Sequence, residues 1–224
     1  MSRALSAARL LAACVAAVVF LGGPLTAAGN RPQPQAWTLV PAQSDVRIHV
    51  SRDSSFGFAG HDHEIVAPSF FGSLRIDPDS PGDTVVRIVF QAAALKLSGR
   101  GENPQDIPEI QMTMLGPRVL DVEQYPTITF MSRAIQPAAD AAPETQADVS
   151  RYTVSGDLSL HGVTRVVELP VTVQTSNTDI LASGSVSIRQ TDFGIQPVTA
   201  AMGTIKIKDE LIIQFKLDAQ LDPQ

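Results

Sequence analysis

Apolar and polar side chains alternate one by one along most of this chain, and this alternation is the feature that most limits how it can fold. In the segment SDVRIHVS, Val46, Ile48 and Val50 fall on one side of an extended backbone, with polar residues between them. Successive side chains of a β-strand point to opposite faces, so the pattern predicts a strand with one buried and one wet face. The same pattern recurs in TVVRIVFQAAALKL, RYTVSGDLSL, RVVELPVTVQ, SGSVSIRQ and TIKIKDELIIQFKLDA.

About eight segments of this kind predict an all-β chain that folds as an antiparallel barrel or sandwich. The strand that begins with TVVRIVF is expected to continue with its inward face through Ala92 and Ala94. Small inward residues such as these and Gly156 would leave volume for a ligand at the centre of a barrel. The pair Lys208-Asp209 is expected to turn the last hairpin.

One stretch, NPQDIPEIQMTMLGPRVL, breaks the alternation. Ile107, Ile110 and Met114 recur at helical spacing. We therefore expect a short helix over Gln105–Leu115, which the following Gly-Pro pair ends. The later stretch QPAADAAPETQAD is rich in alanine, proline and acids and has no period, which is typical of a loop.

The N-terminus is typical of a secretory signal peptide. Residues 1–28 combine Arg3 and Arg9, a short apolar run and small residues suited to cleavage. Residues 29–36 then form a leader, and the expected location is periplasmic or extracellular. The sequence LAAC, which ends at Cys14, also matches a lipoprotein box, but the apolar run continues beyond it. We expect no transmembrane segment to remain after removal of the signal peptide.

Charge and motif content limit the partners of the mature chain. Loss of the two arginines of the signal peptide changes the formal net charge from −6 to −8, and no lysine- or arginine-rich run remains. Nucleic acid is therefore not an expected partner. The chain has no Gly-x-Ser-x-Gly element and, after cleavage, no cysteine, so we do not expect an enzyme. A homodimer is compatible with the sequence.

Three stretches together resemble the YceI-like family: YPTITFMS (125–132), GDLSLHGVTRVVELPVTV (156–173) and TDFGI (191–195). The resemblance covers residues 37–220 and implies an eight-stranded, antiparallel, lipocalin-like barrel, with the short helix lying between strands. It also implies that the barrel holds a long-chain apolar molecule, such as an isoprenoid quinone or a polyprenyl lipid, and that no other cofactor is needed. The expected role is then transport, storage or stress protection.

Candidate ligand-contacting residues follow from the implied cavity. His61 and His63 flank Asp62 and are candidates for contact with a polar head group. The apolar lining is expected from aromatic and methionine side chains, each of which could instead be ordinary core packing: Phe58, Phe70, Phe90, Met112, Met114, Phe130 and Phe193.

Other interpretations remain open for the histidines and for the barrel. Residues i and i+2 of a strand share a face, so His61 and His63 could bind a metal ion if His161, Glu64 or His49 completed the site, and the protein would then be a metal-binding or metal-dependent factor. Alternatively, these histidines bond backbone groups at turns. A barrel whose interior is filled by its own side chains would instead favour an adhesion or stress-related interaction module.

Overall fold

Strands dominate the structure, a computed structural model that describes residues 34–53, 62–76, 81–139, 149–200 and 205–223. The predicted signal peptide and most of the predicted leader lie outside the described residues. The elements in the described part are one helix, α1 (Ile107–Leu115), and twelve strands: β1 (Gln35–Leu39), β2 (Asp45–Arg52), β3 (His63–Val66), β4 (Phe70–Ile76), β5 (Val85–Gln91), β6 (Lys96–Leu97), β7 (Thr127–Pro137), β8 (Val149–Leu160), β9 (Val163–Thr175), β10 (Asp179–Arg189), β11 (Thr199–Ala200) and β12 (Ile205–Leu221).

Hydrogen bonds between neighbouring strands close the sheet into an antiparallel barrel. The ring runs through β1, β4, β5, β7, β8, β9, β10 and β12, and β12 pairs again with β1. One edge of β12 borders all of β10, from Asp179 opposite Gln220 to Arg189 opposite Glu210. The predicted fold class, an eight-stranded antiparallel barrel with one helix, is confirmed.

The number of segments exceeds the number of barrel strands because three barrel strands are interrupted and because the short β11 pairs with β12 outside the ring. β1 and β2 lie end to end along one edge of β12, with Leu39 opposite Ala219 and Asp45 opposite Lys216. β4 pairs with β1 and β3 pairs with β2, so these two segments also continue each other. The same holds for β5 and β6, which pair with β4 and β3.

Strand β5 ends earlier than the alternation predicts. It stops at Gln91, and Ala92–Ala94 form a 3-10 turn in which the Leu95 N–H donates to the carbonyl of the first alanine. The expectation that Ala92 and Ala94 face the barrel centre is wrong, because the turn takes the alanines out of the strand and away from the interior lining. The turn then redirects the chain into β6.

The prediction of a turn at Lys208-Asp209 is also wrong. β12 continues through both residues, which lie in a β-bulge where pairing with β2 passes from Ile207 to Leu211. The Asp209 carboxylate accepts hydrogen bonds from the N–H and the hydroxyl of Thr191, at 2.9 and 2.7 Å. Partial burial opposes ionisation of Asp209, but these bonds outweigh it and lower the pKa of the carboxyl group. The polar pair therefore anchors the connection between β10 and β12.

The seam between β9 and β10 is paired along part of its length. The ladder covers Val171–Thr175 of β9 and stops at Pro170, which has no N–H to donate. Beyond this point the 3-10 turn Gln190–Phe193 contacts both strands. The fully buried ring of Phe193 packs into this part of the wall.

The two ends of the barrel differ in their connections. At one end, called the helix end below, lie α1, the His161-Gly162 turn between β8 and β9, and the start of β12. At the opposite end, residues 176–178 join β9 to β10, and β1 begins.

Helix α1 starts later than predicted and ends where predicted. It begins at Ile107 rather than Gln105 and is closed by Gly116, whose N–H donates to the Met112 carbonyl at 3.0 Å. Pro117 follows, as the sequence pattern requires. Within the described residues, no helix has the length and apolar character needed to cross a bilayer.

Gly156 is buried, but it does not leave room for a ligand. The ring of Phe130 on the neighbouring strand β7 lies over it, so that a Cβ at position 156 would be 2.5 Å from the Cζ of Phe130. The glycine therefore lets an inward-facing ring lie close to the barrel wall.

We predict that Gly156→Ala lowers the free energy of unfolding by about 1–3 kcal/mol, because the added methyl group forces Phe130 out of its position. Gly82→Ala is the matched control, since no atom lies within 4 Å of a Cβ at position 82. We expect it to change stability by less than about 0.5 kcal/mol. Denaturant unfolding of both variants measures the difference, and equal stability would contradict this account of Gly156.

Candidate functional site

The inward faces of the barrel strands surround a cavity of about 860 Å³. Its wall consists mostly of isoleucine, leucine, valine and phenylalanine side chains. Val46, Ile48 and Val50, the inward set predicted for β2, all line it. Small-molecule sites typically have volumes of roughly 300–1,000 Å³ and mostly apolar walls. The cavity therefore has the size and the surface of a site for an apolar ligand.

The predicted lining residues do not all face the cavity. Phe90, Met114 and Phe130 form part of its wall. Phe70 and Phe193 are 5% and 1% exposed but are not among the lining residues. Phe70 lies opposite Phe90 on the paired strand, so it shares the inner face of the sheet, and its ring packs against the ring of Phe90 with the centroids 5.1 Å apart.

The prediction that Met112 lines the cavity is wrong. Met112 is 70% exposed, whereas Ile110, Thr113 and Met114 of the same helix face the cavity. Residues three and four apart share one face of a helix, so this inward set leaves Met112 on the outer side. Phe58, the remaining predicted lining residue, lies outside the described residues.

Trp37, Tyr152 and Phe215 line the cavity and were not among the predicted residues. Tyr152 and Phe215 occupy inward positions of long strands with regular alternation, so the two-residue period contained the signal that identifies them. Trp37 belongs to the five-residue strand β1, where Leu39 is the only other buried residue. A segment this short gives a weak periodic signal.

The cavity wall becomes polar at the helix end. His63, the first residue of β3, lines the cavity, and its Nδ1 lies 2.7 Å from the Oε1 of Glu102. The Glu102 side chain is 1% exposed. A buried carboxylate is costly unless it is paired, so this contact fastens the segment before α1 to the barrel rim. His61, the other head-group candidate, lies outside the described residues.

The side-chain amide of Gln111 on α1 takes the place of a neighbouring strand beside β6. Its Nε2 donates to the Leu95 carbonyl at 2.7 Å, and its Oε1 accepts from the Leu97 N–H at 2.9 Å. One side chain thus pairs both a backbone acceptor and a backbone donor. These two bonds hold the helix against the helix end of the cavity.

Among the residues that the structure describes, no three His, Cys, Asp or Glu side chains form a group that could hold a metal ion. His161, a candidate third residue of the metal interpretation, has a φ of 51°, and Gly162 has a φ of 73°. Positive φ at both central residues is typical of the tight type I′ turn between two strands. The Nδ1 of His161 lies 3.3 Å from the carbonyl oxygen of Phe193, so this histidine is engaged in a turn.

The sequence matches a known family over most of the barrel. A family model described as the YceI-like domain matches residues 37–219. The chain belongs to the YceI-like family.

Solved structures share the fold of this YceI-like chain. BcnA of Burkholderia cenocepacia gives a TM-score of 0.61 at 21% sequence identity, over 80% of this chain and 98% of BcnA. A polyisoprenoid binding domain from Saccharophagus degradans, implicated in plant cell wall breakdown, gives 0.61 at 16% identity, over 84% and 99%. The YCEI protein of Campylobacter jejuni gives 0.50 at 14% identity, over 69% and 82%. Comparison with curated protein sequences gives no match.

The three stretches that resemble the YceI-like family meet at the helix end. The ring of Tyr125 packs edge-on against the ring of His161, with the centroids 4.7 Å apart. A Cβ on Gly162 would lie 2.5 Å from the Cε1 of Tyr125, and Phe193 offers its carbonyl to the same histidine. None of these four residues is in the described cavity lining. These four residues therefore form a corner of the scaffold, whereas other residues of the same stretches, such as Phe130, Leu158 and Ile195, line the cavity.

We predict that Gln111→Ala lowers the free energy of unfolding by about 1–3 kcal/mol, because it leaves the Leu95 carbonyl and the Leu97 N–H without their partners. Gln105→Ala is the matched control. Gln105 is exposed and lies just before the same helix, so its truncation should change stability by less than about 0.5 kcal/mol. Thermal and denaturant unfolding test the pair. Stability unchanged in Gln111→Ala would refute the strand-like role of this amide.

Proposed function

We propose that this YceI-like protein is a secreted binding protein that holds a long-chain apolar molecule, such as an isoprenoid quinone or a polyprenyl lipid, inside its barrel. The observation that supports this most is the cavity of about 860 Å³ with its aliphatic and aromatic wall. The S. degradans domain of the same fold is described as polyisoprenoid binding, which supports the ligand class. The sequence pattern of residues 1–28 supports a periplasmic or extracellular location, where the role would be transport, storage or stress protection.

The energetics of such a ligand agree with the composition of the wall. Each isoprene unit has five carbons, and at about 0.8 kcal/mol per buried carbon group its burial gains at most roughly 4 kcal/mol. Part of this gain is offset by the lost freedom of the chain and of the complex. One neutral hydrogen bond to a head group contributes only about 1 kcal/mol net. The tail therefore supplies most of the affinity, and a binding protein of this kind needs no compact polar motif.

Within this proposal, the polar end of the ligand lies at the helix end beside His63. This residue lines the cavity, and its ring is held in place by the buried carboxylate of Glu102. A contact between His61 and the head group stays a prediction. The hydrogen bond to a head group would then determine the orientation of the ligand more than its affinity.

Mass spectrometry of an organic-solvent extract tests the proposal directly. The full chain is expressed with its own N-terminal segment and purified without delipidation, and its extract should contain a prenyl quinone or polyprenyl lipid in a fixed ratio to protein. Protein that is empty after purification, and that also fails to take up added ubiquinone or farnesol, would contradict the proposal.

We predict that Val167→Trp lowers the amount of bound lipid about ten- to hundredfold. The larger side chain would fill part of the cavity, and an overpacking cost of about 1–3 kcal/mol corresponds to a loss of affinity of this size. Val167 lines the cavity. The preceding residue provides the control, since Val166 is 54% exposed and Val166→Trp should retain the lipid. Melting temperatures show whether both variants are folded, and equal lipid content in two folded variants would contradict a ligand inside the barrel.

A further inference from the structure

Charge is distributed unevenly around the cavity. Among the lining residues that the structure describes, none is lysine or arginine. The ionisable side chains that line the cavity at the helix end are His63, Asp106 and Glu109. Asp106 and Glu109 are also exposed to solvent. This combination places the acids where the cavity meets solvent. At the opposite end, the polar lining groups are uncharged: Gln35, Thr84, Tyr152 and Thr175.

The lysine and arginine side chains near the helix end lie outside the described cavity lining. Arg100, in the segment before α1, lies 3.9 Å from the Glu64 carboxylate and does not line the cavity. The four internal segments outside the described residues, 54–61, 77–80, 140–148 and 201–204, contain no lysine or arginine. On the strands that reach the helix end, Arg52 and Lys206 are absent from the cavity lining.

The N-terminus of α1 does not offer an anion site in place of a cation. Backbone N–H groups and the helix dipole normally favour a phosphate at such a position. Here Asp106 is the residue before the helix and Glu109 lies in its first turn, so negative charge already occupies this end. Pro108 has no N–H and removes one of the donors.

We propose that the cavity selects its ligand by charge: it binds long-chain lipids whose oxygen-bearing head group is uncharged and rejects the phosphorylated form of the same lipids. This inference rests on the proposed function. An anionic head group that enters an apolar cavity loses its hydration, and no lysine or arginine of the described lining compensates for the loss. It also passes the carboxylates of Asp106 and Glu109, which repel it. A neutral alcohol or quinone avoids both costs.

Farnesol and farnesyl monophosphate test the inference, because they share one apolar chain and differ in head-group charge. Isothermal titration calorimetry on delipidated protein gives both dissociation constants. We expect farnesyl monophosphate to bind at least about tenfold more weakly than farnesol. The difference should be larger at low ionic strength, where repulsion by the carboxylates is less screened.

Variants of the acids at the opening of the cavity separate the two causes of the selection, which are repulsion by the carboxylates and the lack of a compensating cation. The double variant Asp106→Asn, Glu109→Gln should narrow the difference between the two dissociation constants. Glu109→Arg should tighten binding of farnesyl monophosphate more than binding of farnesol. Glu123→Gln is the control: it removes one acid from an exposed position outside the lining. It should not change the ratio of the two dissociation constants. If farnesyl monophosphate still binds more weakly than farnesol in the double variant, selection by charge is supported, and its cause is the lack of a lysine or arginine in the lining.

The outcomes that overturn the inference differ from those that overturn the proposed function. If farnesyl monophosphate binds as tightly as farnesol or more tightly, selection by charge is wrong, and the apolar carrier function stands. If neither compound binds, and ubiquinone does not bind either, both proposals are wrong. Thermal unfolding of each variant confirms that the compared proteins are folded.

Discussion

Closure of the strand ring between β1 and β12 is the constraint on which the rest of the structure depends. With Trp37 opposite Leu221 and Leu39 opposite Ala219, the last long strand returns to the first. The diameter of such a barrel follows from the number and tilt of its strands, not from the size of the inward side chains. Valine, leucine and isoleucine then point towards a centre whose width the backbone sets, and about 860 Å³ remains between them.

The alternation of the sequence predicted the barrel and many inward residues because it is a local property of extended chain. It could not predict where strands bend, because a bend depends on partners far away in sequence. Asp209 illustrates this limit: a polar pair between two apolar runs resembles a turn, yet β12 continues through it and forms a bulge in its pairing with β2. The break between β5 and β6 likewise depends on the pairing of β6 with β3.

Predicting the candidate site was less successful because residue type alone does not determine direction. Met112 and Met114 are chemically identical, and the phase of α1 alone places one in solvent and the other in the cavity wall. Phe70 and Phe90 lie opposite each other on paired strands and share one face of the sheet, yet only Phe90 lines the cavity, so even the direction of a side chain does not by itself identify a lining residue. The polar group at the helix end joins His63 to Glu102, which is distant in sequence, so no short motif could reveal it.

Some of the residues that carry the family resemblance stabilise the scaffold and do not line the cavity. For this reason the resemblance identified the fold more surely than the ligand. Tyr125, His161 and Phe193 stabilise one corner through ring packing and a tight turn. The cavity wall is instead made of interchangeable aliphatic residues, which fix the length and shape of a ligand but not its head group. The acidic and imidazole side chains of the described wall are confined to the end near α1.

The most direct test of the central claim is an experimental structure of the protein purified without delipidation. The account predicts a continuous hollow inside the barrel, with elongated electron density that extends from the vicinity of His63 towards Trp37. A barrel whose centre is filled by its own side chains, with no passage to the surface beside α1, would contradict it.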